Sequence, residues 1–125
     1  MVGLVVVSHS KRAADGIIEV AAEMASDTQI EAVGGDTDGG IGTSAEDIRN
    51  ALDSISDGEA IVLVDLGSAV MNAELAIEMS DTDAEIADAP VLEGTVNAAV
   101  AAISPKATME SVREAAEEAG EISNI

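Results

Sequence analysis

Residues 4–7, Leu4-Val5-Val6-Val7, form an unbroken apolar run close to the N-terminus, closed by Ser8-His9-Ser10. A strand with apolar side chains at every position, rather than every second one, is buried on both faces. That is the habit of a central strand in a parallel sheet. Parallel strands need crossover helices, and the next segment supplies one. Over residues 11–25 the apolar positions Ala14, Ile17, Ile18, Ala21 and Met24 recur at helical spacing, with Ser10 placed to cap the first turn. Asp15, Glu19 and Glu23 follow every four residues on the outer side, the pattern of a solvated stripe rather than a metal site.

The same alternation continues along the chain. A short second strand covers residues 29–33, followed by a loop over 34–43 with glycines at 34, 35, 39, 40 and 42. Ser44 opens a second helix with Ile48, Leu52 and Ile55 inward. Ser44 and Asp47 have the spacing of a capping box, and Asp57-Gly58 closes the unit. Residues 60–64 are a third buried strand ending at Asp65. Leu66-Gly67-Ser68 then turns into a helix running through Met79. A weak fourth strand at 84–87, an apolar helix at 91–103 after Pro90, and a last helix at 108–119 complete the chain, with Gly120 as the expected C-cap.

Four strands separated by helices predict a single α/β domain over residues 1–125. Its architecture is an open four-stranded parallel sheet with right-handed crossovers and helices on both faces. With strand one central and strands two and three on either side, the order is 2-1-3-4. Ligands of such sheets bind where the strand order reverses, at the C-terminal strand ends. Here those ends carry His9 and Asp65.

Composition narrows the function. Apolar residues make up 47% and aromatic residues none, so the core is aliphatic, and stacking of a base or sugar on an aromatic ring is excluded. Five Lys and Arg against 25 Asp and Glu give a net charge of −20, which repels nucleic acid and anionic membranes. Acids spread along a chain with clear apolar periodicity predict a folded domain adapted to high salt, not a disordered one. The absence of cysteine excludes disulfides, thiolate nucleophiles and sulfur-ligated zinc. No basic leader precedes the first strand, and no apolar run reaches the ~20 residues of a membrane helix, so a cytoplasmic location is expected.

His9 is the only histidine. A carboxylate at Asp65 accepting the proton of one ring nitrogen would set the tautomer and leave the other nitrogen as a nucleophile. Ser68 and the amides after Gly67 stand at a helix N-terminus, which favours phosphate oxygens. The loop containing Gly39, Gly40 and Thr43 approaches from the other side of strand one and could add amides, as could Ser10. Asp36 and Asp38 suit the turn better than a metal ion, and no metal is expected. The loop lacks the Gly-Lys-Ser/Thr ending of a nucleotide-binding Walker loop.

Three spaced motifs carry a family resemblance: Val5-Val6-Val7-Ser8-His9-Ser10, Gly39-Gly40-Ile41-Gly42-Thr43-Ser44, and Val64-Asp65-Leu66-Gly67-Ser68-Ala69-Val70-Met71-Asn72-Ala73-Glu74. With Pro90-Val91-Leu92-Glu93-Gly94, they make the chain resemble the phosphotransferase subunits of phosphoenolpyruvate-dependent dihydroxyacetone kinases, within the mannose-type EIIA superfamily. The resemblance implies a phosphorylated His9 oriented by Asp65. It implies that the phosphoryl group arrives from HPr and leaves to ADP held on the kinase subunit DhaL, while DhaK binds dihydroxyacetone. No cofactor is then bound by this chain directly. Members with fused HPr-like and enzyme-I-like domains exist, and here those parts are expected to act in trans. The resemblance also implies a homodimer, to which the broadly apolar helix at 91–103 adds support.

The nearest alternative is a sugar-uptake EIIA domain of the same superfamily, whose members carry an additional glycine and a proline in the turn that here reads Asp65-Leu66-Gly67-Ser68-Ala69. A response-regulator receiver needs paired acids after strand one and a lysine on the last strand. Strand one ends in Ser8-His9-Ser10, and Lys106 follows Pro105 outside any strand. A domain with a purely interacting role is the reading that remains if His9 is never phosphorylated.

Overall fold

The structure, a computed structural model, describes residues 1–125. Its strands are β1 (Gly3–Ser8), β2 (Ile30–Gly34), β3 (Glu59–Val64) and β4 (Asp83–Ile86). Its helices are α1 (Lys11–Met24), α2 (Ala45–Asp53), α3 (Val70–Met79), α4 (Val91–Ala102) and α5 (Met109–Glu118). The strands form one sheet in the order β2-β1-β3-β4, every pair parallel, as the alternation predicts.

All six residues of β1 are buried, because both faces of the sheet are covered. Leu4, Ile61 and Leu63 point to one side, onto Ala21 of α1, Ala98 and Ala102 of α4, and Val112 of α5. Val5, Val7 and Val62 point to the other, onto Ile48 and Leu52 of α2 and Ala73 and Ala76 of α3. Branched side chains on the strands meet mostly alanines on α1, α3 and α4. Helices therefore sit close to the sheet, and an aliphatic core fills without any ring.

Gly94 shows how tight this is. A Cβ there would lie 2.9 Å from Ala89 Cβ and 3.1 Å from Leu63 Cδ2, so the first turn of α4 sits against the preceding segment and β3 with no room for a side chain unless Ala89 shifts.

Three local expectations need correction. Met24 does not belong to the inward stripe of α1. It is 63% exposed, because the helix ends there and the chain turns inward only at Ala25. Ser44 caps α2 by accepting from the Asp47 amide at 3.3 Å, but the reciprocal capping box forms at α5 instead, between Thr108 and Ser111. Gly120 is not a left-handed C-cap. The chain past α5 tightens into a 3₁₀ turn at Ala119–Glu121, and the glycines with positive φ are Gly35, Gly39, Gly42 and Gly58.

The Lys and Arg ion pairs lie at the surface, and five such side chains cannot balance 25 acids. Repulsion among exposed carboxylates is screened only where the Debye length is short, about 3 Å at 1 M salt. The melting temperature is therefore expected to fall steeply on dialysis from about 3 M to about 0.05 M potassium chloride. Far-ultraviolet circular dichroism follows it, since no aromatic side chain reports on folding. A melting temperature indifferent to salt would show that this charge does not govern stability.

Candidate active site

The register of the sheet builds the site. Val7 pairs with Val64, and the ladder extends one step further where the Asp65 amide donates to the Val7 carbonyl at 3.1 Å. The next residues along the two strands, Ser8-His9 and Asp65, are thereby set side by side at the C-terminal edge. The ring Nδ1–H of His9 donates to Asp65 Oδ1 at 2.9 Å. The His9 amide at 3.1 Å and the Ser8 hydroxyl at 2.8 Å both donate to Asp65 Oδ2. Both side chains of the dyad are about four-fifths covered, at 19% and 22% exposure.

Burial pushes the Asp65 carboxyl upward. The hydrogen bonds from the His9 ring, the His9 amide and the Ser8 hydroxyl, with the attraction of the ring charge, outweigh that effect and hold it below its ordinary value. The carboxyl therefore stays ionised and can only accept. The proton on the facing ring nitrogen must then sit on Nδ1, which in the neutral ring leaves the lone pair on Nε2. Ser68 Oγ lies 2.9 Å from Nε2 and donates to it.

Ser68 stands in a 3₁₀ turn, Gly67–Ala69, that leads into α3. Its hydroxyl, expected to face phosphate oxygens, meets the ring nitrogen itself. Ser10 is the N-cap of α1, accepting from the Ala13 amide at 3.3 Å, while its own amide donates to Ser8 Oγ at 3.1 Å. The loop glycines are engaged elsewhere. Gly40 donates its amide to Asp36 Oδ1 at 2.8 Å, and Gly39 donates to the Asp36 carbonyl at 3.1 Å. Asp36 thus serves the turn. Thr43 is tied to α3, its hydroxyl accepting from Asn72 Nδ2 at 2.7 Å. The loop reaches the His9 turn through Gly42, whose amide donates to the His9 carbonyl at 2.9 Å.

Sequence reasoning missed Ser8 as a site residue. It is 1% exposed, and its hydroxyl links Asp65 to the start of α1. A hydroxyl at the last position of an otherwise apolar strand, beside the histidine, was the available signal. Gly34 was also missed. A Cβ there would lie 2.7 Å from backbone atoms of Ser10 and Lys11, so β2 can pass behind the His9–Lys11 turn only as glycine. Gly34→Ala is expected to displace that turn, lowering stability by about 1–3 kcal/mol and slowing chemistry at His9. Thermal melts and a His9 labelling rate would both move; unchanged values would show that the turn yields freely.

Proteins of one known family are similar to this chain along most of its length. The family model described as EIIA-man, PTS system fructose IIA component, matches residues 3–115. A Lactococcus lactis protein named as the phosphotransferase subunit DhaM of a PTS-dependent dihydroxyacetone kinase is 37% identical over 112 residues, covering 90% of both chains. A Listeria innocua phosphoryl donor subunit DhaM is 40% identical over 74% of both. A Providencia stuartii DhaM is 39% identical over 95% of this chain, which spans only 27% of that longer protein.

Among solved structures, a protein of unknown function, EF1359, superposes with a TM-score of 0.79 at 33% identity, covering 96% of each chain. A Streptococcus agalactiae phosphotransferase system component EIIA shares the fold, with a TM-score of 0.63 at 22% identity over 93% of this chain and 92% of that one.

Proposed function

The chain belongs to the EIIA-man family, and on that premise we propose that it is a phosphohistidine carrier serving a phosphoenolpyruvate-dependent dihydroxyacetone kinase. The observation that carries the reading is the division of the His9 ring, with Nδ1–H held by Asp65 and Nε2 left with its lone pair toward the rim. Nε2 attacks the phosphorus of phospho-HPr. A new N–P bond forms as the donor's N–P bond breaks, and the ionised Asp65 supports the imidazolium that results.

In the second step a terminal oxygen of ADP, held on the DhaL subunit, attacks the same phosphorus. The bond to Nε2 breaks and the ring returns to its starting tautomer. Positioning and charge neutralisation are what such a transfer demands. The phosphoryl group adds about two negative charges. Ser68, whose hydroxyl already reaches Nε2, is the first group able to turn onto its oxygens, together with the amides of the turn around Gly67. ADP stays on the partner, and dihydroxyacetone is bound by DhaK. The names of the curated relatives support the kinase as acceptor.

The proposal includes a homodimer. Leu92 and Val100 of α4 and Ile103 just past its end remain exposed, as does Val20 of the adjoining α1, so α4 has apolar surface on the side that the core leaves uncovered. No helix is long and apolar enough to cross a membrane.

The test is a reconstituted relay in high salt with phosphoenolpyruvate, enzyme I and HPr. The protein is expected to gain one acid-labile, base-stable phosphoryl group and lose it to ADP-loaded DhaL. Dihydroxyacetone phosphate should form only when DhaK and substrate are present. Delivery only to a sugar permease domain would select the sugar-uptake reading, and a protein that is never labelled would defeat both. Light scattering in the same buffer is expected to give twice the mass of one chain.

A further inference from the structure

Ser8 is the one polar side chain of β1, and it is buried with the rest of the strand. Burying a hydroxyl costs free energy that an apolar residue at the same place would not. The fold does not ask for it: Ser10 caps α1, and the sheet ladder uses only the backbone of residue 8. The Ser8 oxygen accepts from the Ser10 amide at 3.1 Å, and its proton goes to Asp65 Oδ2 at 2.8 Å. That pair of contacts holds the hydroxyl in one orientation, and the bond it accepts strengthens the bond it donates. Oδ2 therefore carries two donors, the Ser8 hydroxyl and the His9 amide, while Oδ1 has the ring Nδ1–H alone. Of the two donors on Oδ2, only the hydroxyl comes from a side chain.

We infer that Ser8 is a positioning residue that acts through Asp65 to keep the phosphoryl group on His9 transferable, an inference that rests on the carrier reading. The attacking ring is neutral, and it is an imidazolium for as long as the N–P bond at Nε2 exists. The Asp65 carboxylate attracts that positive charge and so favours the loaded state. On discharge the acceptor oxygen bonds to phosphorus, the electron pair of the N–P bond returns to Nε2, and the ring is neutral again. A carboxylate with its charge wholly toward the ring would hold the imidazolium too firmly for this step. The Ser8 hydroxyl draws part of that charge onto Oδ2. It weakens the hold on the ring without removing the Nδ1–H bond that fixes the tautomer. The lowered titration of Asp65, to which this hydroxyl contributes, accords with a charge shared among several donors.

The test is the equilibrium of phosphoryl exchange between HPr and the full chain in high salt. Ser8→Ala should shift that equilibrium about 3- to 10-fold toward phospho-His9, and slow discharge to ADP-loaded DhaL by a similar factor. Ser8→Cys fills the same space with a weaker donor and should move both in the same direction, by less. Ser8→Thr, which keeps a hydroxyl, should return both to wild-type values. Followed by carbon-13 NMR, the Asp65 carboxyl should titrate closer to its ordinary value in Ser8→Ala than in the wild type. A serine with a merely structural role predicts something else: uptake and discharge slow together and the exchange equilibrium stays where it was. That result in folded Ser8→Ala or Ser8→Cys, or an equilibrium moved toward phospho-HPr, would overturn the inference. A wild-type protein that phospho-HPr never labels defeats the carrier reading itself, and this inference with it.

Discussion

His9→Ala is expected to accept no phosphoryl group at all while keeping its fold. The loss is total because no second imidazole exists to take over, and neither a cysteine nor a basic cluster offers another route. The fold survives because the ring lies at the strand end, one-fifth exposed, outside both core layers. The variant does release the carboxyl of Asp65 from its Nδ1–H partner. The amide of residue 9 and the Ser8 hydroxyl still donate to Oδ2, so the carboxylate keeps two of its three bonds. Mass spectrometry under basic conditions, with circular dichroism as the folding control, decides it. Phosphoenolpyruvate-dependent phosphorylation of dihydroxyacetone sustained by His9→Ala would overturn the mechanism.

The second large effect belongs to Asp65→Asn, for a reason that only the contacts make visible. Three donors converge on two carboxylate oxygens: the ring Nδ1–H on one, the His9 amide and Ser8 hydroxyl on the other. Asparagine has one acceptor oxygen. If that oxygen stays with the amide and hydroxyl, the side-chain NH₂ faces Nδ1, and the ring must move its proton to Nε2 to accept from it. The nucleophilic lone pair is then gone. Phosphoryl uptake is expected to slow by roughly 10²-fold or more, with the melting temperature at neutral pH changed far less.

A pH series gives a second readout of the same group. The folded-state carboxyl titrates below its ordinary value, so its contribution to stability is complete above pH 3.8 and is lost as pH falls through the lower folded value. The acid-side stability slope of the wild type should be shallower in Asp65→Asn. Wild-type uptake rates in this variant would remove Asp65 from the chemistry.

Both effects concern a site whose two halves are legible in the amino-acid sequence. The apolar runs at 4–7 and 60–64 announce buried parallel strands, and the residues just past them, His9 and Asp65, stand out by type. The supporting contacts are less legible. Glycines at 39 and 40 suggest an amide cradle, yet Asp36 takes those amides, and the loop instead grips the His9 carbonyl through Gly42. Capping follows the same pattern: Ser10, Ser44 and Thr108 each cap a helix as their type suggests, while Gly120 continues into a 3₁₀ turn.

Periodicity and residue type determined the α/β class, the central place of β1, the strand order, and the pairing of a lone histidine with an acid at one sheet edge. These are properties of runs of residues, and burial of whole faces enforces them at many positions together. The tertiary structure alone decided that Ser8 links Asp65 to α1, that the Ser68 hydroxyl rests on Nε2, and that Gly34 lets β2 pass behind the His9–Lys11 turn. Each of these depends on a single atom pair brought within a few tenths of an ångström by the β1–β3 register and the seating of α1 and α3 on the sheet, distances that no local pattern in the chain encodes.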